Sequence, residues 1–186
     1  FAQAAVRHEP MFVSMETVLP ELLHSKGCEM RQLSMLAHAY IRVGLPQSPL
    51  LPLLWGKAGK LASHSDMQSL ALIVFAVTKA AALTTPLGNE LMHAIYSRLQ
   101  ELLEDDRGCN PATIGVILYA LVRGGCVTST PVRMWQLLAQ QCCEGIDSLS
   151  TSELSNVAAG LAEIWRELEL AGDMDAPLTA DIARFF

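Results

Sequence analysis

A helical pattern recurs along this chain at intervals of about forty residues, which is typical of solenoids built from paired helices. Four segments carry apolar residues at helical spacing around a small residue: LSMLAHAYIRVG (33–44), LALIVFAVTKAA (70–81), IGVILYALVRGG (114–125) and LSNVAAGLAEIW (154–165). The small residues are Ala39, Ala76, Ala120 and Gly160, at intervals of 37, 44 and 40 residues. A small side chain at a fixed point allows two helix backbones to approach closely, so its recurrence has a packing reason.

Prolines recur at a similar interval, each just before a second apolar segment. They are Pro10, Pro49, Pro86, Pro131 and Pro177. Proline is favoured in the first turn of a helix, where its missing N–H would have no partner. Ser48, Thr85 and Thr130 precede three of them and are good N-cap residues. The pattern predicts that one helix ends before each proline and that its antiparallel partner begins there.

Start signals also mark the first helix of each pair, which we name the A helix, the second being the B helix. Ser65 with Gln68, and Ser150 with Glu153, have capping-box spacing, and Asn110 before Pro111 is a cap followed by a first-turn proline. The predicted A helices are 29–43, 66–82, 111–123 and 151–170. The predicted B helices are 49–62, 86–105, 131–144 and 177–186, preceded by an unpaired B helix near 11–24 that is interrupted at Pro20. Gly44, the pair Gly124 and Gly125, and Gly145 stand where helix ends favour a left-handed residue.

The predicted fold class is therefore all-α: a right-handed α-solenoid of about four to five antiparallel helix pairs, with a repeat of about 37–45 residues. A single helical-repeat array is expected to occupy 1–186, with repeats at about 1–28 (partial), 29–64, 65–106, 110–145 and 150–186. Solenoids need polar capping repeats, and none is visible here. We therefore expect the array to be truncated at both ends.

Composition narrows the class of function. The chain is 51% hydrophobic and 17% charged, which excludes disorder and leaves a surface poor in charge that is expected to have a partner. Its net charge is −6, so the chain lacks the excess of basic residues that is typical of nucleic-acid-binding proteins. Five cysteines without a C-x-x-C pair favour a reducing compartment. The apolar run 70–77 is too short to cross a membrane, so no membrane span is expected.

Catalytic signatures do not occur in the sequence. It has no H-E-x-x-H, G-x-S-x-G, Walker A or G-x-G-x-x-G motif, and GKAGK (56–60) has the wrong spacing for a phosphate loop. No histidine pairs with a cysteine at metal-ligand spacing. We therefore expect a protein that is not an enzyme and has no cofactor, metal or small-molecule substrate.

Three basic residues, Arg42, Lys79 and Arg123, each lie three residues after the small residue of their repeat. Stacked helix pairs would place them in a row along one edge of the solenoid. They either complement the dipole at helix C-termini or contact phosphates or a carboxylate-rich surface. The fourth repeat has Glu163 at this position, which interrupts the row. Arg133 is a further candidate for RNA or partner contact.

An acidic cluster, Glu101, Glu104, Asp105 and Asp106, closes the second predicted B helix, where the helix dipole disfavours negative charge. Three interpretations remain open. The cluster is a solvated helix end, a contact for a basic partner such as a ribosomal protein tail, or a divalent-metal site.

The A helices of the form LSMLAHAYIRVGL, each followed by a proline-led B helix, resemble degenerate helical-hairpin repeats of organellar RNA metabolism. These are the octotricopeptide type and the related repeats of FAST-kinase-like and RAP-domain proteins. The likeness covers about residues 29–186. It implies a mitochondrial matrix location and RNA or ribosomal assemblies as partners.

With the acidic charge and the interrupted basic row, this resemblance favours a non-catalytic scaffold of a mitochondrial ribonucleoprotein, such as a mitoribosome or an RNA-processing complex. Such a scaffold is expected to bind mainly proteins of a large complex, with minor contact to the backbone of ribosomal or other organellar RNA. One alternative is a sequence-selective organellar RNA-binding repeat protein. Another is a protein-only solenoid adaptor of a different complex.

Overall fold

The computed structural model describes residues 9–24, 27–105 and 109–186, and within them the regular elements are all helical. The α-helices of this part of the chain are α1 (Glu9–His24), α2 (Met30–Arg42), α3 (Leu50–Leu61), α4 (Met67–Lys79), α5 (Pro86–Glu104), α6 (Pro111–Arg123), α7 (Val132–Glu144), α8 (Thr151–Ala171) and α9 (Ala176–Phe185). Short 3-10 turns lie at Ala62–His64, Ala82–Thr84 and Ile146–Ser148. The all-α prediction is confirmed. The A helices are α2, α4, α6 and α8, and the other five are B helices.

The chain forms two compact units, Phe1–Arg98 and Leu99–Phe186, so the division falls within α5. In the first unit α2 packs against α4 and α3, and α1 packs against α3. In the second unit α6 packs against α7 and α8, and α9 packs against α7 and α8. Four pairs of helices that are two apart in the chain are therefore neighbours: α1 and α3, α2 and α4, α6 and α8, and α7 and α9.

The A helices share one register relative to their N-caps. The N-cap residues are Glu29, Asp66, Asn110 and Ser150. The tenth residue after each cap is the recurring small residue of the sequence pattern, Ala39, Ala76, Ala120 or Gly160. The interval between repeats varies, but each A helix begins at the same point of its own pattern.

Close packing explains the glycine of the fourth repeat. A Cβ on Gly160 of α8 would lie 2.1 Å from Cδ2 of Leu118 in α6. One on Gly115 of α6 would lie 3.0 Å from Cγ2 of Val157 in α8. Leu118 and Val157 are fully buried, so these two A helices interlock through glycines on both partners.

Three A helices end with a left-handed residue at the fifteenth position after the cap: Gly44 (φ 81°), Ala81 (φ 51°) and Gly125 (φ 70°). This confirms the prediction for Gly44 and for the second residue of the Gly124–Gly125 pair. The prediction for Gly145 is wrong, because its φ is −100°. Glycine occurs at position 145 because there is no room for a side chain, since a Cβ there would lie 2.0 Å from Cγ of Pro111.

Two more local predictions are wrong, one at a helix start and one inside a helix. The N-cap of α4 is Asp66, whose carboxylate accepts from the Ser69 N–H at 2.7 Å, whereas Ser65 donates its hydroxyl back to the Leu61 carbonyl. Helix α1 continues through Pro20. Phe12 and Leu23, before and after this proline in the helix, are both buried. Burial of an apolar face stabilises a helix and can offset the hydrogen bond that a proline removes.

The cap predictions for Ser48 and Thr130 are wrong by one residue, because the N-caps of α3 and α7 are Pro49 and Pro131. Those for Ser150, Asn110 and Thr85 are confirmed. Ser150 and Glu153 form a full capping box at α8, and the Asn110 side chain accepts from the Ala112 N–H at 2.9 Å. The hydroxyl of Thr85 accepts from the Gly88 N–H at 3.1 Å at the start of α5. In the described part of the chain, no helix combines the length and apolar character needed to span a membrane.

Candidate functional site

One exposed stripe recurs on the A helices at the second, sixth, ninth and thirteenth residues after the cap. These spacings place the four residues on one side of a helix. We name this stripe the A face. Its residues are Arg31, Met35, His38 and Arg42 on α2; Gln68, Leu72, Phe75 and Lys79 on α4; Ala112, Val116, Tyr119 and Arg123 on α6; and Ser152, Asn156, Ala159 and Glu163 on α8. All of them are exposed or half-buried.

In the first unit, the A face holds an aromatic pair beside two cations. The rings of His38 on α2 and Phe75 on α4 lie 5.4 Å apart between centroids, tilted by 53°. The Lys79 ammonium lies 6.0 Å from the Phe75 ring centroid, at the outer limit of a cation–π contact. Burial, and then the charge of Arg42, lower the pKa of His38. The structure therefore places Arg42 and Lys79 next to one mixed aromatic and cationic patch.

The sequence singled out the two cations and missed the two rings. His38 and Phe75 are each the ninth residue after their cap, four residues before Arg42 and Lys79. Tyr119 occupies the same position on α6, and Ala159 does so on α8. This position is also the residue immediately before the small residue of each repeat, so the alignment by the small residue already contained the aromatic signal.

In the second unit, the thirteenth residues after the N-caps of α6 and α8 have opposite charges. They are Arg123 and Glu163. Arg166 donates to the Glu163 carboxylate at 2.6 Å, and this hydrogen bond lowers the pKa of Glu163. The charge of Arg123 also lowers the pKa of Glu163. Arg123 of α6 is therefore close enough to a carboxylate on α8 to lower its pKa, whereas the A-face residues of α2 and α4 include three cations and no carboxylate.

Arg133 lies on α7, away from the A face. Its guanidinium forms an ion pair with Glu104 at 3.5 Å and donates to the Gln136 side chain at 3.3 Å. Gln136 in turn donates to Asp175, the N-cap of α9. Both members of the Arg133–Glu104 pair are more than 40% exposed, so the pair is worth between zero and about 1 kcal/mol.

The acidic cluster is exposed at Glu101, Glu104 and Asp105, and Asp106 lies outside the described residues. Glu104 accepts from both Arg133 and the Gln100 side chain, at 3.5 and 3.1 Å. Two residues that the sequence assigned to contacts of opposite sign, Arg133 and Glu104, thus bind each other. Within the described ranges, no group of three or more His, Cys, Asp or Glu side chains is arranged to hold a metal ion.

The aromatic and cationic patch of the first unit has the chemistry to bind either of two kinds of partner. Rings flanked by cations can stack on a nucleobase while the cations contact phosphates. The same rings, with the exposed Met35, can pack against apolar side chains of a protein whose carboxylates pair with Arg42 and Lys79.

No protein-family model, curated protein or solved structure matches this chain.

Proposed function

We propose that this chain is a non-catalytic helical-repeat scaffold in a ribonucleoprotein complex, folded as a right-handed α-solenoid of antiparallel helix pairs. The common cap register of the four A helices supports the repeat arrangement. The packing of α2 on α4, of α6 on α8 and of α7 on α9 supports stacking of like helices within each unit. A stack of this kind offers a long surface for binding.

The observation that carries the proposal is the patch formed by His38, Phe75, Arg42 and Lys79. It combines apolar ring surface with cations that are exposed and lie at helix C-termini. The net charge of −6 opposes broad binding of a polyanion, and Glu163 offsets Arg123. Protein is therefore the main partner in this proposal, and contact with the RNA backbone is confined to a few cations.

The resemblance to organellar helical-hairpin repeats supports a mitochondrial matrix location, in a mitoribosome or an RNA-processing complex. We test this by purifying the tagged full-length protein from an organelle extract and sedimenting it before and after nuclease treatment. Co-sedimentation with ribosomal RNA and ribosomal proteins, lost or reduced in size after nuclease, is the expected result. A light complex that nuclease leaves unchanged would contradict the ribonucleoprotein and favour the protein-only adaptor.

The variant that belongs in this experiment is Arg42→Ala with Lys79→Ala, because it removes the cations of the first unit's patch. Its matched control is Arg184→Ala, which removes an exposed cation from α9. If the patch contributes to assembly, the double variant shifts towards lighter fractions and the control does not.

The aromatic pair also favours a second candidate, sequence-selective RNA binding. A nucleobase that stacks on His38 or Phe75 would bring selectivity that phosphate contacts cannot provide. The isolated chain would then bind one RNA sequence tightly at physiological salt and discriminate against permuted sequences. Equal, weak affinity for all sequences would exclude this candidate and leave the scaffold.

A further inference from the structure

A second surface lies in the first unit, on the B helices. A groove of about 730 Å³ runs between α3 and α5 and is also lined by Leu23 of α1. Its lining includes the side chains of Trp55 and Leu91, which are 3% and 1% exposed, and of Leu53, which is 44% exposed. The groove therefore joins the apolar core to the surface.

Two glycines open this groove down to the backbone of α3. A Cβ on Gly59 would meet nothing within 4 Å, and one on Gly56 would first meet Leu87 at 3.9 Å. Each glycine in a helix interior costs about 0.5–1 kcal/mol relative to alanine. Helix α3 contains both glycines in spite of this cost, and the space beside them is open.

The second unit closes the corresponding space. Its B helices α7 and α9 pack against each other, and the Cys143 thiol of α7 donates to the Asp181 carbonyl of α9 at 3.3 Å. The two units therefore differ in their B helices, because α7 and α9 are in contact whereas the groove lies between α3 and α5.

Charge around the groove is asymmetric. Lys57 and Lys60 line it from α3, and Glu90 lines it from α5. An occupant with carboxylates on the side facing α3 would meet two ammonium groups, and a basic residue on its other side would meet Glu90.

We infer that this groove binds an amphipathic α-helix of a partner protein, with its apolar ridge on Leu53 and Leu87 and its acidic residues beside Lys57 and Lys60. The glycines allow the partner helix to approach α3 closely, as small residues do wherever helices cross at short distance. The inference rests on the proposed scaffold function and names the kind of partner that one surface of the scaffold takes.

The test measures binding of labelled peptides to the full chain by fluorescence anisotropy. The first peptide has about 16 residues, roughly four helical turns, with leucines at i, i+3, i+4 and i+7 and glutamates on the flanks. The second has lysines in place of the glutamates, and the third has the first peptide's composition in permuted order. We expect the acidic amphipathic peptide to bind at least several-fold more tightly than the other two.

Gly59→Leu places a side chain in the groove at a position with room for it. We expect it to weaken the acidic peptide about tenfold, and Lys60→Glu to reduce the preference for the acidic over the basic peptide. The matched control is Gln140→Leu, which puts a leucine on an exposed position of α7. It should leave binding unchanged, and circular dichroism checks that each variant keeps its helix content.

Three results would overturn the inference. They are equal binding of the permuted peptide, full binding by Gly59→Leu, and displacement of the peptide by single-stranded RNA. A concentration-dependent dimer of the wild-type chain that Gly59→Leu abolishes would also overturn it and assign the groove to a second copy. None of these results changes whether the protein sediments with a ribonucleoprotein, so the groove and the proposed function can fail separately.

Discussion

Gly88 lies so close to the backbone of Ala82 that a Cβ on the glycine would be 2.0 Å from the Ala82 carbonyl oxygen. Between them, the Thr85 hydroxyl donates to the Ala82 carbonyl at 2.6 Å and accepts from the Gly88 N–H at 3.1 Å. These contacts join the end of α4 to the start of α5. The turn between an A helix and its B helix is therefore set here by backbone contact, which cannot relax as a side chain can.

Gly88→Ala should lower the free energy of unfolding by about 1–3 kcal/mol, since either the turn or the first turn of α5 has to move. Gly59→Ala is the matched control, because it is also a helical glycine and has open space around its Cβ. The control should raise the free energy of unfolding by about 0.5–1 kcal/mol through helix propensity. Urea denaturation followed by circular dichroism measures both, and equal effects of the two substitutions would contradict the backbone contact.

Ala81 adopts a left-handed conformation, with φ 51° and ψ 28°, at the position where the other two repeats have Gly44 and Gly125. This conformation costs a residue with a side chain about 1–2 kcal/mol. Ala81→Gly should therefore stabilise the protein, by about 0.5–1 kcal/mol after the greater freedom of glycine in the unfolded chain is subtracted.

The reverse substitution, Gly125→Ala, should destabilise the protein by a similar amount. A Cβ on Gly125 would touch nothing within 4 Å, so only backbone strain is added. Thermal and urea unfolding of the two variants should move in opposite directions. Destabilisation by Ala81→Gly would show that its φ is not the source of strain.

His38 should make stability depend on pH. Burial and the Arg42 charge lower its pKa below the usual value of 6.5, so the folded state binds a proton less readily than the unfolded state. The stability that neutral His38 contributes is present above the unfolded pKa and is lost as the pH falls through the folded pKa. The free energy of unfolding should decrease between pH 7 and about 5.

His38→Gln should make the free energy of unfolding depend less on pH. The control is His64→Gln, at an exposed position. An NMR titration of the ring protons reports the pKa of His38 directly. In Arg42→Gln that pKa should rise, because one of its two causes has been removed. A pKa of His38 at or above 6.5 in the wild type would contradict the expectation.

The salt dependence of RNA binding tests the row of cations. Each phosphate contact with a single strand contributes about 0.7 to the slope of log affinity against log salt. Replacing Arg42, Lys79 and Arg123 together with alanine should reduce the slope by up to about 2, with most of the change due to the first two. Arg123 should contribute less because it already interacts electrostatically with the Glu163 carboxylate. A slope equal to that of wild type and of Arg184→Ala would exclude phosphate contacts by these residues.

Local signals in the sequence located most helix boundaries. Asn110 and Pro111 predicted a helix over 111–123, and α6 is Pro111–Arg123. Ser150 and Glu153 predicted one over 151–170, and α8 is Thr151–Ala171. Caps and first-turn prolines act within a few residues, so they can be identified without knowing what the helix packs against.

Features that depend on a second segment were not predictable. Ala81 carries no sequence signal for a left-handed conformation, and the contact of Gly88 with Ala82 becomes visible only when the turn is closed. The cap of α4 was assigned one residue early, because Ser65 and Asp66 are both good caps and the burial of Ser65 selects between them. Such choices are made by packing, which overrides weak local preferences.

The sequence by itself determined the helical class, the approximate bounds of the A and B helices and the recurring positions of Arg42, Lys79 and Arg123, because caps, prolines and apolar periodicity act over short distances along the chain. Only the tertiary structure placed the His38 ring against Phe75, paired Arg133 with Glu104, brought Arg123 close enough to Glu163 to lower its pKa and opened the groove beside Gly59. These relationships join residues of different helices. They depend on which helices pack together and how closely, and no local pattern in the sequence encodes that distance.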